Sequence, residues 1–167
     1  GQRVDSDTAP LTYRAMGIEN PGLRTFKENL EAAYKADPAL RDRGPNVPFN
    51  ADPRDASTPE AMVQLLLRIR SGKAMSAKST RTLIGIMERC RTGEKRLKGL
   101  LPPDTVVAHK TGTLSSVAND VGIVTLPNGR QFAIAVFVKG DTKGTATQDK
   151  VIADIARVAY DHFLTVN

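Results

Sequence analysis

The sequence predicts an α+β fold, with an antiparallel sheet flanked by helices. Apolar residues recur at helical spacing up to about residue 90, then give way to three short runs of strand character. The last two of these runs are joined by Pro127-Asn128-Gly129, a hairpin signal that makes neighbouring strands antiparallel. A final amphipathic stretch from Gln148 to Phe163 returns to the helical period. Helices, then a meander, then one helix is α+β organisation within one domain spanning 1–167.

Asp7 or Thr8 can cap a short helix that runs through Tyr13 and stops at Gly17. A second helix is expected over Gly22–Ala36, with Leu23, Phe26, Leu30, Ala33 and Tyr34 on one stripe. Prolines at 38, 45, 48 and 53 forbid a continuous helix from Asp37 to Asp55, and a loop of that length has a function or is disordered. Ser57-Thr58-Pro59-Glu60 is a helix start, combining a hydroxyl cap, proline in the first turn and an acid near the N-terminus. Ala61, Met62, Leu65, Leu66 and Ile69 carry its apolar stripe as far as Gly72. Ser76 opens another helix with Leu83, Ile86 and Met87 facing inward, broken at Thr92-Gly93. Glu94 to Leu100 is expected to form a short helical turn before Pro102-Pro103. The strand-like runs are Thr105–Ala108, Val121–Leu126 and Phe132–Val138.

Composition excludes several classes. Of 167 residues, 40% are apolar and 25% charged, as in an ordinary soluble domain. The net charge of +6 comes from scattered Lys and Arg, and only five Phe and three Tyr are present for stacking. A solvated basic surface is therefore expected, with no nucleic-acid partner. No apolar run reaches the roughly 18 residues of a membrane helix, so no membrane insertion is expected. Cys90 lies in an apolar-patterned run and is read as a buried free thiol. Two isolated histidines and one cysteine make no ligand cluster, so neither metal nor cofactor is expected.

The motif that carries chemistry is Val107-Ala108-His109-Lys110-Thr111-Gly112-Thr113. It ends a short apolar strand, follows a Leu-Leu-Pro element and precedes a hairpin leading to the C-terminal helix. In that context it resembles the K-T-G signature of class A β-lactamases and penicillin-binding proteins, the penicillin-recognising serine hydrolases. Arg54-Asp55-Ala56-Ser57-Thr58-Pro59 is similar to that family's segment leaving the Ω loop. Thr92 to Pro102 resembles the element before its active-site strand, and Asn119-Asp120-Val121-Gly122-Ile123 resembles the strand that follows. The resemblance is nearly continuous from Arg54 to Phe163, and His109 with Thr113 gives it the flavour of the extended-spectrum branch.

The resemblance implies a β-lactamase/transpeptidase-like fold and a serine acyl-enzyme mechanism on a β-lactam or a D-alanyl peptide ligand. A strand edge suits such ligands because its backbone groups pair with a peptide-like chain. The family's pattern puts Lys110 beside the serine and the Thr111 and Thr113 hydroxyls on the substrate carboxylate, with Gly112 between them. It makes the backbone N–H of Thr113 an oxyanion donor, an interaction worth about 2.7–4 kcal/mol. It also offers Arg96 as a bidentate partner of the carboxylate. His109 precedes the lysine, points to the other strand face and is read as structural.

The sequence departs from the family in two places. No serine has lysine three residues later, and S-D-N is absent; Ser6-Asp7-Thr8 imitates it but stands too close to Met16-Gly17. By the family's order both motifs belong upstream of residue 1. The chain is therefore expected to be a C-terminal portion, inactive alone, with an Ω-loop-like region over about 18–55. Within that region, counting forward from Met16-Gly17 puts the family's glutamate at Lys27, beside Glu28, with Glu31 shortly after. Counting back from Arg54-Asp55 puts it at Asp42. Glu28, Glu31 and Asp42 are the candidates for the base that activates the deacylating water. Without such a base the protein would behave as a D-alanyl-D-alanine peptidase or penicillin-binding protein. A catalytically silent penicillin-recognising module is the remaining alternative. Ile84, Ile86, Val121 and Ile134 are expected to lack packing partners until a complementary N-terminal segment or a domain-swapped copy covers them. The family's compartment is periplasmic or secreted, in bacteria.

Overall fold

The computed structural model describes residues 23–38, 56–114 and 116–166, and the chain divides into two compact units, 1–55 and 56–167. In the first unit, α1 spans Leu23–Ala36, with Ala33 and Tyr34 half-buried and Glu28 and Glu31 exposed. The helix expected before Gly17, Asp42 and the Arg54-Asp55 pair lie outside the described residues.

The second unit opens with α2, Pro59–Arg70. Thr58 is its cap: Thr58 Oγ1 accepts from the Ala61 N–H at 3.1 Å, and Pro59 occupies the first turn. Met62, Leu66 and Ile69 form the stripe that packs inward, whereas Leu65 is exposed. The spacing explains this, because 62, 66 and 69 share one side of the helix and 65 sits at its rim. Helix α3 runs Ala77–Glu88, capped by Ser76 Oγ, which accepts from the Ser79 N–H at 3.2 Å. Met87 is buried and Leu83 and Ile84 half-buried, but Ile86 faces outward at 56% exposure. Glu94 to Leu100 is a chain of tight turns instead of a helix. Arg96, Gly99 and Leu101 donate to the carbonyls of Gly93, Arg96 and Lys98, each three residues back.

Three antiparallel strands follow in the order β1-β2-β3: Val107–Leu114, Val117–Thr125 and Gln131–Lys139. The β2–β3 turn is the one expected, with Gly129 at φ 79° and its N–H donating to Leu126 O at 2.9 Å. Gly122 is required where β1 and β2 approach, since a Cβ there would stand 2.6 Å from Ala108 O and 2.8 Å from the His109 Cβ. Helix α4, Thr145–Thr165, closes the unit, longer at both ends than the periodicity indicated.

The sheet is covered on both faces. Val107, Val124, Phe132, Ile134 and Val136 pack with Leu97, Leu101 and α4 residues Ile152, Ala156 and Tyr160. Ala108, Val121 and Ile123 pack on the other face with Leu66 of α2 and Met87 of α3. Period-two alternation assigns neighbouring residues to these two cores. Each buried Leu, Ile or Val contributes about 1.5–3 kcal/mol. The expectation that Ile84, Val121 and Ile134 would lack partners is therefore corrected: Val121 and Ile134 are buried to 9% and 8% exposure and Ile84 packs half-buried against the second core, while Ile86 stays exposed.

Candidate active site

The K-T-G residues do not end their strand. β1 continues through Lys110, Thr111, Gly112 and Thr113 to Leu114, paired against Val121, Asp120, Asn119, Ala118 and Val117. The apolar alternation stops at His109 because the strand's outer half is largely exposed to solvent, but the ladder with β2 carries the extended backbone on. Its parity follows from one bond. Thr125 N donates to Val106 O at 3.0 Å, and these two residues lie opposite each other one step before the Val107–Val124 pair. In an antiparallel ladder hydrogen-bonded pairs alternate with non-bonded ones. Residues 108, 110 and 112 therefore bond to β2, while the N–H and C=O groups of Thr111 and Thr113 point to the other edge. Among the described residues no strand pairs with that edge.

The side chains alternate as well. Lys110 is exposed on the α2–α3 face, and its ammonium donates to the carbonyl of Thr111. His109, Thr111 and Thr113 share the α4 face. His109 and Asp120 are both 0% exposed, and His109 Nδ1 lies 2.9 Å from Asp120 Oδ1. Asp120 Oδ2 also accepts the Leu97 N–H at 3.2 Å, so this pair fastens the tight turns of 94–100 to the sheet. The structural place read for His109 is the one it occupies; its partner Asp120 was not singled out.

Arg96 has a different environment from the open guanidinium the sequence suggested. It is 4% exposed. Its Nε donates to Asp149 Oδ1 of α4 at 2.7 Å, and Nη1 donates to Gly112 O at 3.1 Å and Asn119 O at 3.0 Å. Nη2 donates to Thr113 Oγ1 at 2.9 Å. These contacts use four of the five N–H donors of a guanidinium. Arg96 thus underlies the K-T-G strand and reaches the open edge through the Thr113 hydroxyl.

Thr111 has a partner of its own. Its Oγ1 is 2.6 Å from Thr92 Oγ1, which in turn is 3.3 Å from Cys90 Sγ. Cys90 is partly exposed, not the fully buried thiol expected. The structure thus brings Lys110, Thr111, Gly112, Thr113 and Arg96 together and adds Thr92, Asp120 and Asp149. Glu28 and Glu31 stand on α1 of the first unit. No group of three or more His, Cys, Asp or Glu placed to hold a metal occurs among the described residues. No helix among them is long and apolar enough to cross a membrane.

Residues 2–163 match the profile of the "Beta-lactamase enzyme family". Beta-lactamase VEB-1 of Pseudomonas aeruginosa is 39% identical over 124 residues, 70% of this chain and 42% of that protein. The crystal structure of a beta-lactamase from Chitinophaga pinensis is 46% identical with a TM-score of 0.62, covering 64% of this chain and 42% of that one. The structure of PBP-A is 28% identical with a TM-score of 0.60, covering 66% of this chain and 41% of that one. The matched segments cover 41–42% of the length of these relatives, less than two thirds of each.

Proposed function

The chain belongs to the beta-lactamase enzyme family, and from that premise we propose that it supplies the K-T-G strand and Ω-loop region of a serine β-lactam hydrolase. The observation that carries the reading is the open edge of β1, where Thr111 and Thr113 direct their backbone groups outward beside the exposed Lys110. A β-lactam laid along this edge meets the Thr113 N–H at its carbonyl oxygen and the Thr111 and Thr113 hydroxyls at its carboxylate. A serine from a segment not included in 1–167 attacks the carbonyl, the lactam C–N bond breaks and an acyl-enzyme forms. Water then releases the acid, with Glu28, Glu31 or Asp42 as the base. Lys110 stabilises negative charge beside the serine and helps move its proton. Gly112 joins the two threonines and pairs with β2, and Arg96 acts on the carboxylate by holding Thr113. Uncovered Ile86 is where a complementary segment or an exchanged copy would add packing. The compartment that fits the reading is the bacterial periplasm or exterior.

A second reading, a penicillin-binding D-alanyl peptidase, is supported by the likeness to PBP-A. The life of the acyl-enzyme separates the two. Intact-mass spectrometry after addition of benzylpenicillin should show a covalent adduct of penicillin's mass on the complete protein, short-lived for a hydrolase and long-lived for a peptidase. Residues 1–167 alone should show neither adduct nor turnover of a chromogenic cephalosporin. Complete protein that forms no adduct and turns nothing over would leave the silent binding module, and turnover by 1–167 alone would refute the placement of the nucleophile.

A further inference from the structure

We infer that Thr92 is a positioning residue that turns the Thr111 hydroxyl proton toward the carboxylate of the bound ligand. The inference rests on the K-T-G reading above and adds a residue from outside the strand. A hydroxyl carries one proton and can accept in two directions. When Thr111 and Thr92 meet at 2.6 Å, one of them donates to the other. If Thr111 donates to Thr92, it turns lone pairs toward an approaching anion. If Thr92 donates to Thr111, the Thr111 proton is free for the anion, and Thr92 Oγ1 can accept the Cys90 S–H at 3.3 Å. With an anion bound, this second arrangement gives every proton an acceptor, whereas the first turns a lone pair toward negative charge.

Thr113 provides the parallel. Its hydroxyl accepts from Arg96 Nη2 at 2.9 Å, and a guanidinium only donates, so the Thr113 proton must point elsewhere. Thr92 does for Thr111 what Arg96 does for Thr113. Both hydroxyls are engaged as acceptors from the protein side and present donors together.

The backbone is shaped for this contact. Gly93 follows Thr92 with φ +66°, and a Cβ on it would lie 2.5 Å from Thr111 Cγ2. The turn presses so close to Thr111 that only glycine fits, and the Arg96 N–H holds it by donating to Gly93 O at 2.9 Å. Thr92 itself is exposed, so substitutions there leave the core untouched.

The test compares benzylpenicillin with its methyl ester on the complete protein. The readout is apparent affinity: KM where there is turnover, otherwise Kd from amide shifts of Gly112 and Thr113. Thr92→Val should weaken the acid about five- to tenfold and leave the ester unchanged, because Thr111 keeps its hydroxyl and loses only the donor that turns its proton toward the charge. Thr92→Ser should restore the wild-type acid-to-ester ratio. Thr92→Val combined with Thr111→Val should be no weaker than Thr111→Val alone, since both act on one proton. If Thr111→Val lowers the acid-to-ester ratio and Thr92→Val does not, Thr92 has no such role while the K-T-G reading stands. If Thr92→Val weakens acid and ester alike, its role is structural and the inference is overturned. If Thr111→Val leaves the ratio unchanged, the carboxylate assignment itself fails and this inference with it.

Discussion

Replacing Arg96 with alanine separates two roles that a basic residue near a carboxylate site can have. In the structure the guanidinium is 4% exposed and its Nε donates to Asp149, whose side chain is 17% exposed. Removing one partner of a buried ion pair costs about 3–5 kcal/mol, because the other charge is left without compensation. Asp149 keeps some contact with water, which favours the lower end. Gly112 O and Asn119 O lie on the β1–β2 ladder and do not lose every partner. The expected loss is therefore about 3 kcal/mol of folding stability. Arg96→Lys should lose less, about 1–2 kcal/mol, since an ammonium keeps the charge opposite Asp149 but cannot serve four acceptors in one plane. Urea unfolding followed by circular dichroism measures both: the midpoint should fall while the slope m is unchanged. Affinity should fall for benzylpenicillin and its methyl ester together, because the loosened strand serves both, and fall further for the acid, because Thr113 loses the donor that turns its proton toward the carboxylate. A stability loss below about 1 kcal/mol, with affinity lost for the free acid alone, would refute the brace and make Arg96 a direct carboxylate ligand.

The remaining expectations concern the two residues on either side of one peptide bond. Lys110→Ala should slow acylation of the complete protein by about a hundredfold or more, as for loss of one electrostatic donor, and Lys110→Arg by less; stopped-flow acylation measures it, and equal rates in wild type and alanine variant would remove Lys110 from the mechanism. His109→Leu should cost about 3 kcal/mol in urea unfolding, because Asp120 at 0% exposure would keep only the Leu97 N–H; a loss within about 0.5 kcal/mol, the range of a surface substitution, would show that the His109–Asp120 bond adds little.

Much of the fold was legible because burial is written in periodicity. The caps at Thr58 and Ser76, the turn at Gly129 and the long C-terminal helix each have a local cause, a hydroxyl, a positive φ or an apolar stripe. The same reasoning failed where the cause was not local. β1 seemed to end at the lysine because its outer half is largely exposed, and there hydropathy reports water, not backbone geometry. Ile86 seemed inward because the period fixes a helix's stripe only to within about one residue. Val121 and Ile134 seemed to want a missing partner because the sequence does not say that α2 and α3 cover one face of the sheet and α4 the other.

The site divides along the same line. Lys110, Thr111 and Thr113 are adjacent in sequence and were found as a motif. Their supports come from elsewhere: Asp149 lies 53 residues from Arg96, Asp120 lies 11 from His109, and Thr92 lies 19 from Thr111. Asp120 could have been found from sequence by folding the second strand back on the first, which sets it opposite Thr111 and on the His109 face. Thr92 and Asp149 could not, because no period relates a turn or a distant helix to a strand. Arg96 illustrates the consequence. The family resemblance implied a cation waiting for a carboxylate, and Arg96 has one in Asp149 of the protein itself. The charge that the ligand meets is then relayed through a hydroxyl, and the chemistry of the edge depends on which way two threonine protons point. That is a property of the packed turns behind the strand, and the motif alone does not contain it.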